Sequence, residues 1–212
     1  MSKDRSKFFW CLDFGHGGMY EGHYVTAPAK MHTFSDGLTI YEGVINRKIG
    51  YKLAKLLDGK YEYDIISDPE DDLSLPVRVM TADNRFRKDP RCIFLSIHSN
   101  AGGGSGFEVF TSKGQTKSDK VAQIFCEVYK KMFPEFKFRS DQLDGDDDKE
   151  ADFYVLRKTD CPALLVENLF FDNRREAEYL LSEFGQNKIA ECLFECIKQV
   201  EVLQPINKLV LA

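Results

Sequence analysis

The chain has 212 residues, of which 43% are hydrophobic and 30% are charged. This balance is typical of one globular domain with a buried core, and the absence of any run of about 18 apolar residues excludes a transmembrane helix. The net charge of −5 comes without a basic cluster, so we expect no binding to nucleic acid through phosphate contacts.

The N-terminal segment has a basic start, followed by a short apolar run that ends at Asp13. Such a run is too short for the hydrophobic core of a signal peptide. We therefore expect no export signal and synthesis in the cytoplasm.

Short apolar, β-branched or aromatic runs alternate along the chain with longer segments of helical period. The predicted strands are 8–14, 61–67, 91–97, 107–111, 153–156 and 163–167. Apolar residues at helical spacing predict helices over 45–56, 121–132 and 189–200. Strands that alternate with amphipathic helices indicate an α/β domain whose central sheet is covered by helices on both faces.

Two segments interrupt this alternation. Residues 17–43 form a long polar connection, and a long ordered loop in a compact domain is more often functional than accidental, with disorder as the alternative. Residues 141–150 are strongly acidic and predict a solvated loop, because they lack the spacing of a calcium-binding EF-hand loop. No repeat or Ser/Gly linker divides the chain, so we predict one domain over 1–202 and a short tail over 203–212.

Six cysteines are present, and none belongs to a C-x-x-C pair. Without an export signal, the prediction is that all six are reduced thiols that pack as small apolar side chains in the core. Cys192 and Cys196 lie four residues apart on one predicted helix face. Core packing is favoured over metal binding for this pair, because a thiolate metal site needs more ligands than the spacing offers.

Polar side chains follow three of the predicted strands, at the point where each strand ends. The first strand runs into His16, the third ends around His98, and the last ends at Glu167. In open α/β sheets, ligands bind in the crevice beyond the carboxyl ends of the strands. Glycines flank His16, and they allow the backbone and a ligand to approach closely. We therefore expect two imidazoles and one carboxylate to share a crevice.

Two histidines and a carboxylate are a common ligand set of catalytic zinc sites, which leave the fourth position for water. Glu42, at the start of the helix that begins after Ile40 and Tyr41, is the best candidate for the third ligand beside His16 and His98. A carboxylate that does not bind the metal can accept a proton from water, and Glu167 is placed for that role.

Other roles for these residues stay open at this point. His23 and His32, in the long connection, are rival metal ligands or residues that line a substrate groove. Glu167 has an alternative role as a residue at the sheet end that is paired with Arg157 or Arg174.

Other catalytic chemistries are disfavoured. The sequence has no G-x-S-x-G elbow, no P-loop and no G-x-G-x-x-G after a strand. Cys92 and Cys161 lie within or beside buried strands, where a thiol tends to be inert. Serine and cysteine hydrolase mechanisms are therefore poor fits to this sequence.

Six segments, in order, carry a family resemblance: DFGHGG, YEG, LPVRVMTADN, LSIHSNA, GFEVF and PALLVENLFFDN. Together they resemble zinc-dependent N-acetylmuramoyl-L-alanine amidases of the amidase-3 type. The resemblance implies one zinc ion per chain held by His16, Glu42 and His98, and a catalytic Glu167. It also implies a mixed, roughly six-stranded sheet flanked by helices, and cleavage of the amide between N-acetylmuramic acid and L-alanine in peptidoglycan.

The 26-residue step from His16 to Glu42 is similar to phage-lysin-like members, in which this loop carries a Tyr and a Thr-Pro-Gly-Lys-like stretch. The comparable stretch here is 24–30, from Tyr24 to Lys30. Two alternatives remain open: a non-catalytic peptidoglycan-binding module on the same fold, and a zinc amidohydrolase that acts on another peptide or sugar amide.

Overall fold

A computed structural model describes residues 6–26, 30–142 and 145–203. The strands, in chain order, are β1 (Phe9–Phe14), β2 (Met19–Tyr20), β3 (His23–Tyr24), β4 (Met31–Thr33), β5 (Thr39–Tyr41), β6 (Glu62–Ile65), β7 (Cys92–Asn100), β8 (Glu108–Thr111), β9 (Lys149–Glu150) and β10 (Ala163–Phe170). The helices are α1 (Glu42–Leu57), α2 (Leu75–Lys88), α3 (Asp119–Met132), α4 (Tyr154–Lys158), α5 (Arg174–Leu181) and α6 (Glu183–Val200).

Six strands form the main sheet, in the order β6-β1-β7-β10-β8-β9. The strands β6, β1, β7 and β10 are parallel, and β8 runs antiparallel to β10. The central positions of β1, β7 and β10 explain why their sequences are almost continuously apolar, since side chains on both faces of these strands are buried.

Alternate residues of the central strands enter two separate cores. Trp10, Leu12 and Phe14 of β1 pack in the larger core, which also holds the apolar faces of α1, α3 and α6. Phe9 and Cys11 pack on the opposite face, with residues of α2 and α4. This two-residue period confirms the predicted α/β domain with helices on both faces of a mixed six-stranded sheet.

The predicted strand 153–156 is wrong. Phe153 caps α4, and Val155 and Leu156 are buried in the smaller core as part of that short helix. The β-branched and aromatic composition favours a strand, but packing against the sheet overrides that weak local preference. The sixth strand of the sheet is instead β9, a two-residue segment at the end of the acidic run.

The two segments that interrupt the pattern contain more regular structure than predicted. Residues 17–43 include two hairpins, β2–β3 and β4–β5, although residues 27–29 lie outside the described part. The run 141–150 is not wholly a solvated loop, because Asp148 is buried and Lys149 begins β9. Residues 143 and 144 lie outside the described part, as does most of the predicted tail, from 204 onward.

All six cysteines are buried free thiols, as predicted. Cys192 and Cys196 lie in the larger core, and Cys11, Cys92 and Cys161 lie in the smaller one. Within the described ranges, every helix is too short or too polar to cross a bilayer.

Candidate metal centre

The parallel direction of β1, β7 and β10 brings three predicted site residues to one edge of the sheet. His16 follows the end of β1, while His98 and Glu167 lie within β7 and β10 and are register partners in neighbouring strands. Both strands continue past the predicted ends, so these two side chains project from the sheet itself rather than from loops.

Glu42 reaches the same edge from the first residue of α1. Its Oε2 lies 3.2 Å from His16 Nε2, and its Oε1 lies 3.0 Å from His98 Nδ1. One ligand atom from each of the three residues lies within 4.8 Å of the other two. The structure therefore brings together His16, Glu42 and His98, the three residues predicted as ligands.

Two buried polar atoms of this group make no hydrogen bond of good geometry with the protein. His16 Nε2 and Glu42 Oε2 are buried and make no hydrogen bond, although they face each other. Buried polar atoms are nearly always satisfied, so unpaired atoms of two neighbouring side chains need an explanation. Two imidazole nitrogens and a carboxylate oxygen that converge on one point are the donor set of a zinc site, and a metal ion bound there would satisfy these atoms.

Burial and mutual contact shift the pKa values of all three side chains. Burial works to raise the pKa of Glu42, but the two imidazoles outweigh burial and hold it well below its usual range. Burial lowers the pKa of His16. Burial also opposes the charged form of His98, but the Glu42 carboxylate outweighs it and raises the pKa of His98. The carboxylate is thus kept ionised, which is the form that binds a metal.

Glu167 faces the same space but does not join the three-residue group. Its Oε2 is buried and has no hydrogen-bond partner. Burial raises the pKa of Glu167 to about 8, against the opposing effect of His98. The alternative partners are engaged elsewhere: Arg157 pairs with Asp152, and Arg174 pairs with Asp36 and Glu178.

A cavity of about 280 Å³ opens in front of these residues. Its lining combines polar residues, among them His16, His98, Glu167 and Lys30, with the apolar or aromatic residues Leu75, Phe153, Tyr154, Val155 and Leu165. Leu75 and Phe153 are partly exposed at the surface. The cavity can therefore contact both polar and apolar portions of a ligand.

Two buried arginines hold the backbone of His16. Arg47 Nη1 and Arg78 Nη2 donate to the His16 carbonyl oxygen, at 2.7 and 3.2 Å. Arg47 also donates to the carbonyl oxygens of Gly43, Asp68, Pro69 and Asp71. His16 has a φ of +64°, an uncommon conformation for a residue with a side chain. These contacts stabilise a local backbone that the sequence alone disfavours.

Sequence reasoning missed this supporting network. Arg78 is 2% exposed and pairs with Asp13, which also accepts from Ser67 and Ser96. The sequence did offer one signal of this network, namely Asp13, a charged residue near the end of an apolar strand. A buried carboxylate requires a partner. The partner itself, 65 residues away along the chain, had no signal in the local pattern.

The rival ligands lie elsewhere. His23 is exposed in β3, and the ring of His32 in β4 packs against Phe34. Among the described residues, His16, Glu42 and His98 form the one group of three or more side chains with metal-ligand geometry.

Changing Gly15 to alanine should weaken metal binding. Gly15 packs directly against the His98 imidazole, and a Cβ there would overlap the ring atoms. Displacing a ligand ring should lower metal affinity about tenfold or more, by analogy with changes in residues that orient ligands. Gly50→Ala is the matched control, because its Cβ would crowd the Phe14 ring instead. Affinity measured by chelator competition should fall in the first variant only; an equal loss in both would assign it to general destabilisation.

Comparison with known proteins supports a family assignment. A sequence model of the Amidase_3 family, described as N-acetylmuramoyl-L-alanine amidase, matches residues 11–199. This range contains His16, Glu42 and His98, and also Glu167.

Curated relatives agree with this match. The chain is 31% identical over 202 residues to the endolysin of Bacillus phage SPP1, covering 92% of this chain and 66% of that protein. It is 40% identical over 181 residues to the N-acetylmuramoyl-L-alanine amidase CwlM of Bacillus licheniformis, covering 84% and 63%. The chain thus spans about two thirds of the length of these relatives.

Solved structures share the fold. An N-acetylmuramoyl-L-alanine amidase from Clostridium difficile 630 superposes with a TM-score of 0.72 at 24% identity, over 92% of this chain and 96% of that one. The catalytic domain of CwlV from Bacillus (Paenibacillus) polymyxa var. colistinus gives 0.71 at 23% identity, over 93% and 99%. With the family match over nearly the whole described chain, these findings show that the chain belongs to the Amidase_3 family of N-acetylmuramoyl-L-alanine amidases.

Proposed function

We propose that this chain is a zinc-dependent amidase that cleaves the bond between N-acetylmuramic acid and L-alanine in peptidoglycan. The observation that carries the proposal is the group of His16, Glu42 and His98, whose ligand atoms converge and include two buried atoms that make no hydrogen bond. Membership of the amidase family supports the reaction, and the endolysin and CwlM relatives support the substrate. On this proposal, residues 1–202 form the catalytic domain.

His16, Glu42 and His98 would hold one zinc ion per chain. When bound, zinc polarises a carbonyl group and lowers the pKa of water towards neutrality. Glu167 is the catalytic base: its Oε2 makes no other hydrogen bond, and the charge of a metal ion held beside it would favour the ionised form, which accepts a proton from the attacking water. The same carboxyl group then donates that proton to the leaving L-alanine nitrogen as the carbon–nitrogen bond breaks. The apolar residues that line the same cavity would contact the substrate beside these groups.

The proposed site of action is the cell wall. We propose that the chain acts on the peptidoglycan of the cell wall. The phage endolysin among its relatives supports this site of action by analogy.

Metal analysis together with peptidoglycan digestion tests the proposal. The purified chain should contain about one zinc per molecule, and His16→Ala or His98→Ala should remove most of it, since each change deletes a ligand. Digested peptidoglycan should yield products whose masses show new L-alanine amino termini. His23→Ala is the matched control, because this exposed histidine lies outside the group.

Three outcomes would contradict the proposal in different ways. Full zinc retention in both alanine variants would move the ligands to other residues. Binding to peptidoglycan without new amino termini would indicate a non-catalytic binding module. Cleavage of other peptide or sugar amides, with peptidoglycan left intact, would indicate an amidohydrolase of different specificity.

A further inference from the structure

The backbone of Lys30 is fixed directly beside the proposed metal site. Its carbonyl oxygen accepts a hydrogen bond from the Glu42 amide at 3.0 Å. The next residue, Met31, pairs with Tyr41 in the β4–β5 hairpin. Lys30 is thus anchored against the first residue of α1, and its side chain extends from a defined point.

The Lys30 side chain enters the cavity at the reacting centre. Its Nζ lies 3.6 Å from Glu42 Oε2, the same oxygen that faces His16 Nε2. Lys30 lines the cavity together with Glu167, and its charge favours the ionised form of that carboxylate. The ammonium group therefore lies beside the proposed ligand Glu42 and shares a cavity with the proposed base.

The other cation of the cavity is not available to a ligand. Arg78 is buried and is bound to Asp13 and Asp72. Lys30 is 42% exposed, and its distance to Glu42 is too long for a hydrogen bond. Of the cations that line the described cavity, Lys30 is the one with donors free to meet a substrate oxygen.

We propose that Lys30 is a further catalytic residue, whose ammonium group donates a hydrogen bond to the carbonyl oxygen of the scissile amide. This inference rests on the proposed amidase function. As the water oxygen bonds to the carbonyl carbon, the carbon–oxygen π electrons move onto the carbonyl oxygen, and Lys30 stabilises that negative charge. Those electrons return as the carbon–nitrogen bond breaks. Lys30 keeps its protons throughout, because the proton transfers belong to Glu167.

Lys30 cannot act as a metal ligand, because an ammonium group has donors and no lone pair. Its charge also repels any cation held by Glu42, so it does not strengthen metal binding. A group that stabilises developing negative charge in a partly enclosed site acts mainly on the turnover rate.

Lys30→Met and Lys30→Arg test the proposal, with Lys55→Met as a control that removes the same charge from an exposed position on α1. The methionine variant should keep its zinc and its melting temperature, while kcat falls about 100- to 1,000-fold with little change in KM. Arginine keeps the charge and donors, so it should recover part of the rate. Lys55→Met should behave like the unmodified chain.

A binding measurement adds a result that does not depend on turnover. The acid half of the cleaved bond is a carboxylate, so N-acetylmuramic acid serves as the probe. Its dissociation constant, measured by NMR titration, should rise about tenfold in Lys30→Met, because a charge-assisted hydrogen bond is lost. The titration is run on both metal-loaded and metal-free protein.

The outcomes separate this inference from the amidase proposal. An unmodified chain that does not cleave peptidoglycan contradicts the amidase function itself. If the unmodified chain is active, normal kcat in Lys30→Met overturns the role of Lys30. A rate loss that only accompanies zinc loss, or unchanged binding of N-acetylmuramic acid, also overturns it, because Lys30 would then act on the metal or on structure alone.

Discussion

Changing Glu167 to glutamine is expected to abolish most of the activity while leaving the zinc and the fold in place. Glutamine has nearly the same shape but cannot accept a proton from water. General acid–base catalysis contributes roughly 100- to 10,000-fold to a rate, so kcat should fall by that factor. The partnerless Oε2 of Glu167, in the cavity beside His98, is the observation behind this expectation.

The same variant should also differ from the unmodified chain in how its melting temperature depends on pH. The pKa of Glu167 is raised by burial to about 8 in the folded, metal-free chain. A carboxyl group with a raised folded pKa binds its proton more tightly in the folded state, so its contribution to stability is lost as pH rises towards that value. Metal-free Glu167→Gln should therefore melt at or above the temperature of the unmodified chain at pH 8, with a smaller difference at pH 5.

Zinc content, melting temperature and peptidoglycan digestion should be measured on one preparation. Glu178→Gln is the control, because Glu178 is an exposed carboxylate that pairs with Arg174 on the surface. If Glu167 were only a sheet-end residue, its glutamine variant would be somewhat less stable and nearly fully active. Normal digestion by that variant would contradict the proposed mechanism, whatever the zinc analysis showed.

The parts of the fold with strong periodicity could be predicted from sequence. The apolar runs of β1, β7 and β10 and the amphipathic helices α1, α3 and α6 are all present. These predictions succeed because burial on both faces of a strand, or along one face of a helix, determines which positions are apolar in the sequence. Parallel strands then explain why the polar residues at their ends meet at one edge.

The remaining elements depend on contacts that local sequence does not record. The segment around Phe153 has strand composition but folds as α4, because the smaller core covers Val155 and Leu156. The two-residue strand β9 is too short to have a period. It is held at the sheet edge by pairing with β8, and Lys149 forms an ion pair with Glu108.

In the candidate site, too, some residues could be predicted from the local sequence and others depend on tertiary contacts. Histidines and a glutamate next to strand ends were recognisable, because their residue types are rare there and suit a metal. Lys30 could be placed from sequence only in the 24–30 stretch of the long connection, because a lysine in a polar connection is normally solvated. Its position became evident only when the hairpin β4–β5 placed it beside Glu42.

Changing Arg78 to methionine is expected to cause the largest loss of stability among single substitutions of site residues. Arg78 is 2% exposed and donates to Asp13, Asp72 and the carbonyl oxygens of Phe14 and His16. Methionine fills much of the volume but leaves Asp13, which is 1% exposed, buried without its cation. Breaking a buried ion pair on one side typically costs about 3–5 kcal/mol.

Urea unfolding of the metal-free chain measures this loss, with Arg87→Met as the control on the exposed side of the same helix. Arg87 is exposed and donates a hydrogen bond to Asn84 at the surface, and its loss should cost less than about 0.5 kcal/mol. A loss below about 1 kcal/mol in Arg78→Met would contradict the expectation. It would mean that Ser67 and Ser96 alone satisfy the Asp13 carboxylate.

The double variant Arg78→Met with Asp13→Asn identifies the physical cause. If most of the cost comes from an uncompensated buried charge, neutralising Asp13 should recover part of it. The double variant should then be more stable than the sum of the single losses by about 1–3 kcal/mol, the usual range for residues in direct contact. Strict additivity would instead assign the cost to the lost hydrogen bonds on Phe14 and His16. In that case zinc affinity should fall equally in Arg78→Met and in the double variant, because the backbone of His16 loses the same donor in both.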